Sequence, residues 1–156
     1  MSSFAVVRVR GKLNIKPQIK ETLKLLRLNR VNHCVIIPDN PVYRGMLQKV
    51  KDYVTWGEVD GEVIEKLLSN RAHVEGGESL TEKYVKKNSD FGGFGEMASA
   101  IEKGEFTLKN IPGINPVFRL PPPVQGGYEG IKRSYKTGGA LGYRGKKIND
   151  LLNKMI

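Results

Sequence analysis

The first sixty residues alternate between short apolar runs and helical repeats, and this pattern predicts the element order β-α-β-α-β. Residues 4–10, 34–37 and 54–56 are short, apolar and rich in β-branched side chains, which predicts three strands. Pro17 and Pro41 stand where helices can begin, because a proline in a first turn lacks only an amide donor that has no partner there. We therefore expect two helices between the three strands.

Each of the two predicted helices has one apolar face. Apolar residues recur at the i, i+4 spacing that places side chains on one side of a helix. Asp39 and Asn40 precede the second helix and can cap it with a side-chain oxygen. The expected inward positions are Ile19, Leu23 and Leu26 in the first helix and Val42, Met46 and Val50 in the second.

Alternation along the first strand separates its apolar and basic residues. Ala5, Val7 and Val9 share one face, and Arg8 and Arg10 share the other. We expect the two arginines to be exposed unless a second layer covers their face of the sheet.

Residues 60–105 form an acidic middle segment with helical patterns. Asp60 can cap a helix whose apolar face would hold Val63, Ile64, Leu67 and Leu68. Ser79 and Glu82 have the spacing of a capping box, which predicts a second helix start. A short helix over residues 97–101 is expected after a glycine-rich stretch.

The last third of the chain changes composition. Residues 116–120 fit one more strand, and the three prolines that follow favour an extended course. Residues 124–147 contain seven glycines, six basic residues and three tyrosines, so we expect a loop or arm that buries no core. A final helix over residues 147–156 would turn Ile148, Leu151, Leu152 and Met155 inward.

Length and composition place the chain among ordinary folded proteins. Its 156 residues correspond to about one domain, and 39% apolar residues suffice for a core. No apolar run approaches the roughly 18 residues of a membrane span, and the first residues lack a secretory pattern. One cysteine permits no internal disulfide. We therefore expect a soluble cytoplasmic protein with no membrane partner.

Charge is segregated along the chain. The net charge is +10, and residues 1–51 hold eleven basic and two acidic side chains. Residues 52–105 hold six and twelve, and residues 106–156 hold nine and two. A solubilising charge needs no such segregation, whereas a polyanion that contacts both ends of the chain would explain it. This pattern favours nucleic acid as a partner.

Candidate catalytic and metal motifs are incomplete. Gly145 and Lys146 are followed by Lys147 rather than Ser or Thr, so a phosphate-binding loop is excluded. His33 and Cys34 are neighbours on a strand and point to opposite faces, so they cannot share a metal. The spacing of His73 and Glu75 resembles zinc deaminases, but the two required thiolates are absent. We expect no catalytic residue, no metal, no cofactor and no small-molecule substrate.

A long pattern with fixed gaps runs from the first predicted helix through the second. Its first group ends at residue 35, its second group begins after a gap of ten residues, and the flanking segments 8–11 and 38–45 fit the same pattern. The residues of the two groups are Thr22, Leu23, Leu26, Leu28, Arg30, His33, Val35, Met46, Leu47, Val50, Tyr53 and Val54. On these residues the chain is similar to the large-subunit ribosomal protein family numbered thirty in bacteria and archaea and seven in eukaryotes.

The resemblance implies a fold, a function and a division of the chain. Bacterial members resemble residues 4–59 only, and archaeal members resemble the whole chain, so residues 1–59 would be the shared core and 60–156 an archaeal extension. The implied fold is α+β, with a ferredoxin-like β-α-β-α-β core in which two helices back a small antiparallel sheet. The implied function is a structural one in the large ribosomal subunit, with 23S rRNA and neighbouring ribosomal proteins as partners.

Together with the charge pattern, the resemblance defines a set of candidate RNA-binding residues. Basic residues would contact phosphates, and glycines in the arm would allow a close backbone approach. The three tyrosines of the arm, Tyr128, Tyr135 and Tyr143, could stack on unpaired bases. The candidates are Arg8, Arg10, Lys12, Lys16, Lys20, Lys24, Arg27, Arg30, His33, Arg44, Gly45, Lys49, Lys132, Arg133, Lys136, Arg144, Lys146 and Lys147.

Several alternatives stay open at the level of sequence. Gly45 inside a helix costs about 1 kcal/mol relative to alanine, so either a packed backbone or RNA should approach it closely. The acidic residues Glu58, Asp60, Glu62 and Glu65 should face solvent or a basic protein, because phosphate would repel them. For the whole protein, the alternatives are a free-standing regulatory RNA-binding module of the same fold and an enzyme that acts on RNA.

Overall fold

A five-stranded mixed sheet forms the centre of the molecule. The computed structural model describes residues 3–11, 15–111, 113–123, 128 and 133–156. The strands of this sheet are β1 (Ser3–Arg8), β2 (His33–Pro38), β3 (Val54–Glu58), β6 (Phe118–Arg119) and β7 (Gly142–Tyr143). They follow the order β6-β2-β1-β3-β7. β1 pairs antiparallel with both β2 and β3, and β6 continues the antiparallel pairing on β2, whereas β7 is parallel to β3.

Two helices cover one face of this sheet, as the sequence predicts. They are α1 (Pro17–Leu25) and α2 (Pro41–Val50). Their buried leucines and valines join Phe4, Val6 and Trp56 in one hydrophobic cluster. The α+β class and the antiparallel three-stranded core with two helices on one face are therefore confirmed, and β7 makes the complete sheet mixed.

The other face of the sheet is covered by the later part of the chain. Ala5, Val7 and Cys34 pack there against helices α3 (Gly61–Asn70), α5 (Phe94–Glu102) and α6 (Ile148–Met155). Helix α4 (Glu82–Asn88) joins the same cluster through Val85. The molecule therefore has three layers, with the sheet between two helical layers, and residues after 60 contribute to the same core as residues before it.

Burial of β1 on both faces corrects the expected exposure of its arginines. All six residues of β1 are buried, and Arg8 is 3% exposed. Its guanidinium donates to the carbonyl oxygens of Leu28 at 2.7 Å and Arg10 at 2.9 Å. Arg8 lies on the face of Phe4 and Val6, which α1 and α2 cover, so the exception stated with the expectation applies to it.

The caps and faces of the helices match the sequence with three exceptions. Asp60 stands at the N-cap position of α3, but its side chain makes no capping hydrogen bond there, so this predicted cap was wrong. Asn40 accepts a hydrogen bond from the amide of Tyr43 and so caps α2 as expected. Val42 is 72% exposed, however, and Leu47 takes the inward position instead. The predicted capping box at Ser79 was also wrong, since Thr81 caps α4 by accepting from the Tyr84 amide.

A second, two-stranded sheet was not predicted. It consists of β4 (His73–Val74) and β5 (Ile114–Asn115), which pair antiparallel. Strands of two residues are too short for an alternation pattern to reveal them. The four apolar residues expected to face inward on α3 are all buried, and the predicted short helix at 97–101 is the centre of α5.

The end of the glycine-rich segment packs on the body of the protein, contrary to expectation. Ala140 and Leu141 are buried against Val9, and β7 extends the sheet beside β3. Short 3-10 helices, Tyr135–Thr137 and Gly145–Lys147, flank it. The expectation that the stretch buries no core is therefore wrong for residues 133–147, whereas 124–127 and 129–132 lie outside the described residues. Helix α6 follows with all four predicted apolar residues buried.

Among the helices of the described residues, none is long and apolar enough to span a membrane.

Gly57 in β3 provides a test of the docking of residues 133–147 on the sheet. A Cβ at Gly57 would overlap the carbonyl oxygen of Gly145, which is backbone and cannot rotate away. We expect Gly57→Ala to lower the free energy of unfolding by about 2 kcal/mol, since overpacking has a cost of this order. Chemical denaturation measures the change, and amide exchange should accelerate in β7. Gly95→Ala is the matched control, because this glycine lies at an exposed helical site with no backbone nearby. Gly138→Ala is less suitable, because the φ of Gly138 is +90°. Equal stability of Gly57→Ala and Gly95→Ala would refute the docking of residues 133–147 on β3.

Candidate nucleic-acid interface

The three layers separate the charges that are segregated along the sequence. The helices α1 and α2 and the loops that flank them carry most of the basic residues of the first block, and these side chains are exposed. Acidic residues such as Glu62, Glu65 and Glu96 are exposed on α3 and α5, in the layer on the opposite side of the sheet. The exposed cations of the first layer are Lys16, Lys20, Lys24, Arg27, Arg30, Arg44 and Lys49, with Lys51 as an additional residue that the sequence-based set omitted.

Helix α1 ends in a turn that holds Arg27 in a left-handed conformation. The Leu28 amide donates to the carbonyl oxygen of Leu23 and the Arg27 amide to that of Lys24, both at 2.9 Å. These are the two bonds of a Schellman motif, in which glycine normally occupies the position of Arg27. The φ of Arg27 is +64°, and for an L-residue this conformation costs about 1 kcal/mol.

Arg44 lies at the surface of α2 beside an aspartate. One of its terminal nitrogens donates to Oδ2 of Asp39 at 2.7 Å, and its Nε donates to Oδ1. The hydrogen bonds from Arg44 hold the pKa of the Asp39 carboxyl below its usual value. A phosphate that binds Arg44 must therefore share or replace this carboxylate.

The two basic blocks of the sequence meet in one cleft at the β7 edge of the sheet. Arg44 of α2 and Lys136 of the glycine-rich segment line this cleft, which has a volume of about 420 Å³. Its floor contains the aromatic residues Phe4, Trp56 and Tyr143. The charge segregation along the chain predicted that both ends contact one partner, and the cleft brings a cation from each end together.

Glu58 also lines this cleft, and the sequence did not predict an acidic residue there. The hydroxyl of Tyr143 donates to both carboxylate oxygens of Glu58, at 2.5 and 2.7 Å. This hydrogen bond, with burial as a smaller cause, raises the pKa of Tyr143 to about 12. Glu58 is half-buried. The expectation that Glu58 faces away from the basic surface was therefore wrong, whereas Asp60, Glu62 and Glu65 are exposed.

Three predicted contact residues are engaged within the protein. Arg8 is buried, and burial lowers the pKa of its guanidinium. Arg10 is half-buried and lies over the ring of Tyr53, 5.3 Å from the ring centre. Arg144 donates to the Thr55 hydroxyl at 2.8 Å and to the Ala140 carbonyl oxygen at 2.7 Å. These contacts fasten β1 and β7 to their neighbours, so each arginine has a structural role.

The predicted stacking tyrosines also have internal partners. The hydroxyl of Tyr128 donates to the side-chain oxygen of Asn32. Arg144 lies over the ring of Tyr135, 4.8 Å from its centre. Tyr143, bonded to Glu58, keeps 45% of its surface exposed. Of the three rings, Tyr143 is therefore the one most accessible to a base.

The remaining residues of the predicted RNA-binding set are exposed, half-buried or outside the described residues. Arg133, Lys136, Lys146 and Lys147 are exposed in the docked segment. His33 is half-buried on β2, in register with Arg119 of β6. Lys12 and Lys132 lie outside the described residues. RNA contact by the complete set stays a prediction.

The structure separates the two explanations offered for Gly45. This residue is exposed in the middle of α2, and a Cβ built on it would meet no atom within 4 Å. No backbone of the described residues therefore packs against it, which excludes the packing explanation within this part of the chain. An external partner that approaches α2 closely is the explanation that stays.

Reactive groups give no support for catalysis among the described residues. Cys34 is buried, and its burial raises the pKa of the thiol to about 12, so it is a poor nucleophile. In the same part of the chain, no group of three or more histidine, cysteine or acidic side chains could hold a metal ion.

Substitution of Gly45 should affect stability and binding in opposite directions. We expect Gly45→Ala to raise the free energy of unfolding of the free protein by up to about 1 kcal/mol, because alanine favours an exposed helix and meets no obstacle. Denaturation of the free protein measures this. If RNA lies against α2, the same variant weakens incorporation into its complex. A variant that is less stable would show that the helix is strained here, contrary to the open surface described above.

Comparison of the sequence with known proteins identifies a family. The sequence profile described as "Ribosomal protein L30p/L7e" matches residues 4–54. A protein of Methanocorpusculum labreanum named large ribosomal subunit protein uL30 is 50% identical over 152 residues, which cover 97% of this chain and 99% of the relative. The proteins of the same name from Thermoplasma volcanium and Methanocella arvoryzae are 49% and 44% identical. Their alignments cover 98% and 97% of this chain and 92% and 99% of the relatives. With such identity along nearly its entire length, the chain belongs to the uL30 family of large ribosomal subunit proteins.

Proposed function

We propose that this protein is a structural component of the large ribosomal subunit and that it binds 23S rRNA through phosphate and shape contacts. The observation that carries the proposal is the exposed cationic layer formed by α1 and α2, opposite a layer that carries acidic side chains. A polyanion attracted to the first layer is repelled by the second, so the protein would bind in one orientation. The names of the relatives support the ribosome as the place of this interaction.

Backbone contacts account for the cationic layer better than base recognition does. The layer consists of lysines and arginines on two helices, and such side chains mainly bind phosphate oxygens. RNA duplexes present a deep, narrow major groove that side chains cannot read, which makes shape and phosphate the usual targets. The proposed interaction therefore positions the protein on a folded RNA rather than selecting a sequence.

The cleft at the β7 edge provides a second proposed contact. Arg44 and Lys136 approach it from different parts of the chain, and Tyr143 offers a partly exposed ring. Because the docked segment already packs on the protein, its binding to RNA costs less conformational entropy than ordering a free arm would. The opposite, acidic layer would face solvent or a basic neighbouring protein of the subunit.

A pair of double variants tests the proposed orientation. Lys20→Gln with Lys24→Gln removes two exposed cations from α1, and Lys83→Gln with Lys87→Gln removes two from α4 in the opposite layer. Lysine and glutamine have similar helix propensities, so neither pair should alter stability. We expect the α1 pair to reduce the slope of log affinity against log salt by about 0.7 to 0.9 for each phosphate that the variant no longer neutralises, and the α4 pair to leave the slope unchanged.

The measurement is binding of the full chain to purified 23S rRNA over a series of salt concentrations. Equal slopes for the two pairs would contradict the proposed orientation. Sedimentation of a cell lysate at high ionic strength separates the ribosomal function from the regulatory alternative. A ribosomal protein remains with the large particle, whereas a regulatory module is found in the supernatant.

A further inference from the structure

An open pocket of about 370 Å³ lies at the β6 edge of the sheet, which is the opposite edge from the Arg44–Lys136 cleft. It forms where the end of α1, the end of α3, the β4–β5 sheet and β6 meet. These elements come from both the matched segment 4–54 and the later part of the chain. The sequence pattern could not reveal the pocket, since its walls are contributed by separate segments.

Three arginines line this pocket. They are Arg27, Arg71 and Arg119, and the one carboxylate among the lining residues is that of Glu75. Within the described ranges the side-chain ion pairs are Asp39 with Arg44 and Lys147 with Asp150, so none of the three arginines has a side-chain ion-pair partner there. Like charges that share one pocket repel one another, and an anion between them would lower that cost.

Arg71 adds a buried donor that lacks a partner. One of its terminal nitrogens donates to the main-chain oxygen of the last residue, Ile156, at 3.4 Å, but its Nε is buried and has no hydrogen-bond partner in the part of the chain that the structure describes. Buried polar groups are nearly always satisfied, and an unsatisfied one needs an explanation. Because the Nε is closed to solvent, a ligand oxygen in the pocket would be its acceptor only after the Arg71 side chain turns toward the pocket.

The backbone around the pocket is shaped for close approach by a ligand. At the end of α1, Arg27 has the left-handed backbone that its Schellman turn requires. On the opposite wall, Gly76 and Gly77 have φ of +96° and +88°, and a Cβ at either would meet nothing within 4 Å. The turn therefore presents backbone without side-chain obstruction.

His73 completes the wall beside Arg71. Its Nδ1 lies 3.1 Å from the carbonyl oxygen of Arg71. Because a carbonyl oxygen only accepts, Nδ1 carries the proton, and the hydrogen bond fixes the ring at the pocket wall. The site thus combines three guanidinium groups, an oriented imidazole and two glycines.

We propose that this pocket binds a phosphate group through Arg27, Arg71 and Arg119. The planar fork of a guanidinium matches two oxygens of a phosphate, and three such forks suit the several oxygens of one group. The source is either a phosphate of the RNA backbone or a free phosphate compound. The first source rests on the proposed function and would place RNA contacts at both edges of the sheet, with the cationic layer of α1 and α2 between them.

Titration of the free, full-length protein with inorganic phosphate tests the pocket itself. Chloride at matched ionic strength serves as the reference, and the amide signals of Gly76 and Gly77 are the reporters, with Gly95 on α5 in the acidic layer as a distant control. We expect saturable shifts of the two reporter signals. No shift beyond the chloride reference would overturn the proposal.

A charge-matched pair of variants makes the titration specific. Arg27→Gly with Arg119→Gln removes two of the three guanidinium groups, and the first change relieves the left-handed backbone, so the melting temperature should not fall. We expect the apparent dissociation constant for phosphate to rise at least fivefold. Lys83→Gln with Lys87→Gln removes the same charge from α4 and should leave it unchanged. An equal effect of both pairs would show an adventitious, nonspecific charge effect and overturn the proposal.

A tethered cleavage reagent distinguishes the two sources. Cys34 is buried and the pKa of its thiol is raised, so it should not react with a labelling reagent. A new cysteine from Glu75→Cys can therefore be labelled selectively with an iron chelate. Glu62→Cys, in the acidic layer, is the control. In reconstituted large-subunit particles, rRNA cleavage from position 75 but not from position 62 assigns the phosphate to RNA. Phosphate binding without such cleavage supports the pocket and assigns it to a free phosphate compound. The titration needs no RNA, so its failure leaves the salt dependence of rRNA binding as a separate test of the proposed function.

Discussion

The strand β1 is packed between two hydrophobic clusters, and this burial on both faces determines where nearly all charged groups lie. Phe4 and Val6 contact the α1–α2 layer, whereas Ala5 and Val7 contact the layer that contains α3, α5 and α6. Apart from Arg8, whose buried guanidinium donates to two carbonyl oxygens, a sheet covered on both sides leaves the outer helical surfaces and the two sheet edges for charged groups, because unpaired charges are not stable inside. The basic first block therefore lies on one outer surface, and the acidic middle segment on the other.

The sequence predicted local structure well where a periodic pattern was long enough. Helices α1, α3 and α6 and the first three strands were predicted close to their observed positions, because their apolar spacing spans several turns or residues. The expectation for Val42 was wrong, although the helix was right. In a helix of ten residues, Val42 and Leu47 both fit an apolar face, and only the position of the neighbouring sheet decides which one is buried. Short β4 and β5 depend on pairing between distant segments, which a single sequence does not show.

The positive charge of the candidate interface was easier to predict from the sequence than the residues that form it. Arg8, Arg10 and Arg144 were counted as contacts from their charge, yet their observed partners lie within the protein. An arginine has five donors and a long apolar stem, so it can fasten backbone carbonyls as well as bind phosphate. The tertiary structure decides between these uses. Conversely, Arg71 and Arg119 are isolated in sequence, and only the fold brings them together with Arg27.

The docked segment 133–147 changes the expected energetics of binding. A free glycine-rich arm would lose conformational entropy when it becomes ordered on RNA, at about 1 to 2 kcal/mol for each backbone residue. In the structure, the contacts of Ala140 and Leu141 with Val9 and the pairing of β7 with β3 supply much of that order before binding. The cation of Lys136 is consequently held near Arg44, although the two residues are far apart in sequence. Charges that are already positioned bind a rigid polyanion at a smaller entropic cost, so the glycines serve close packing against β3 as well as any approach of RNA.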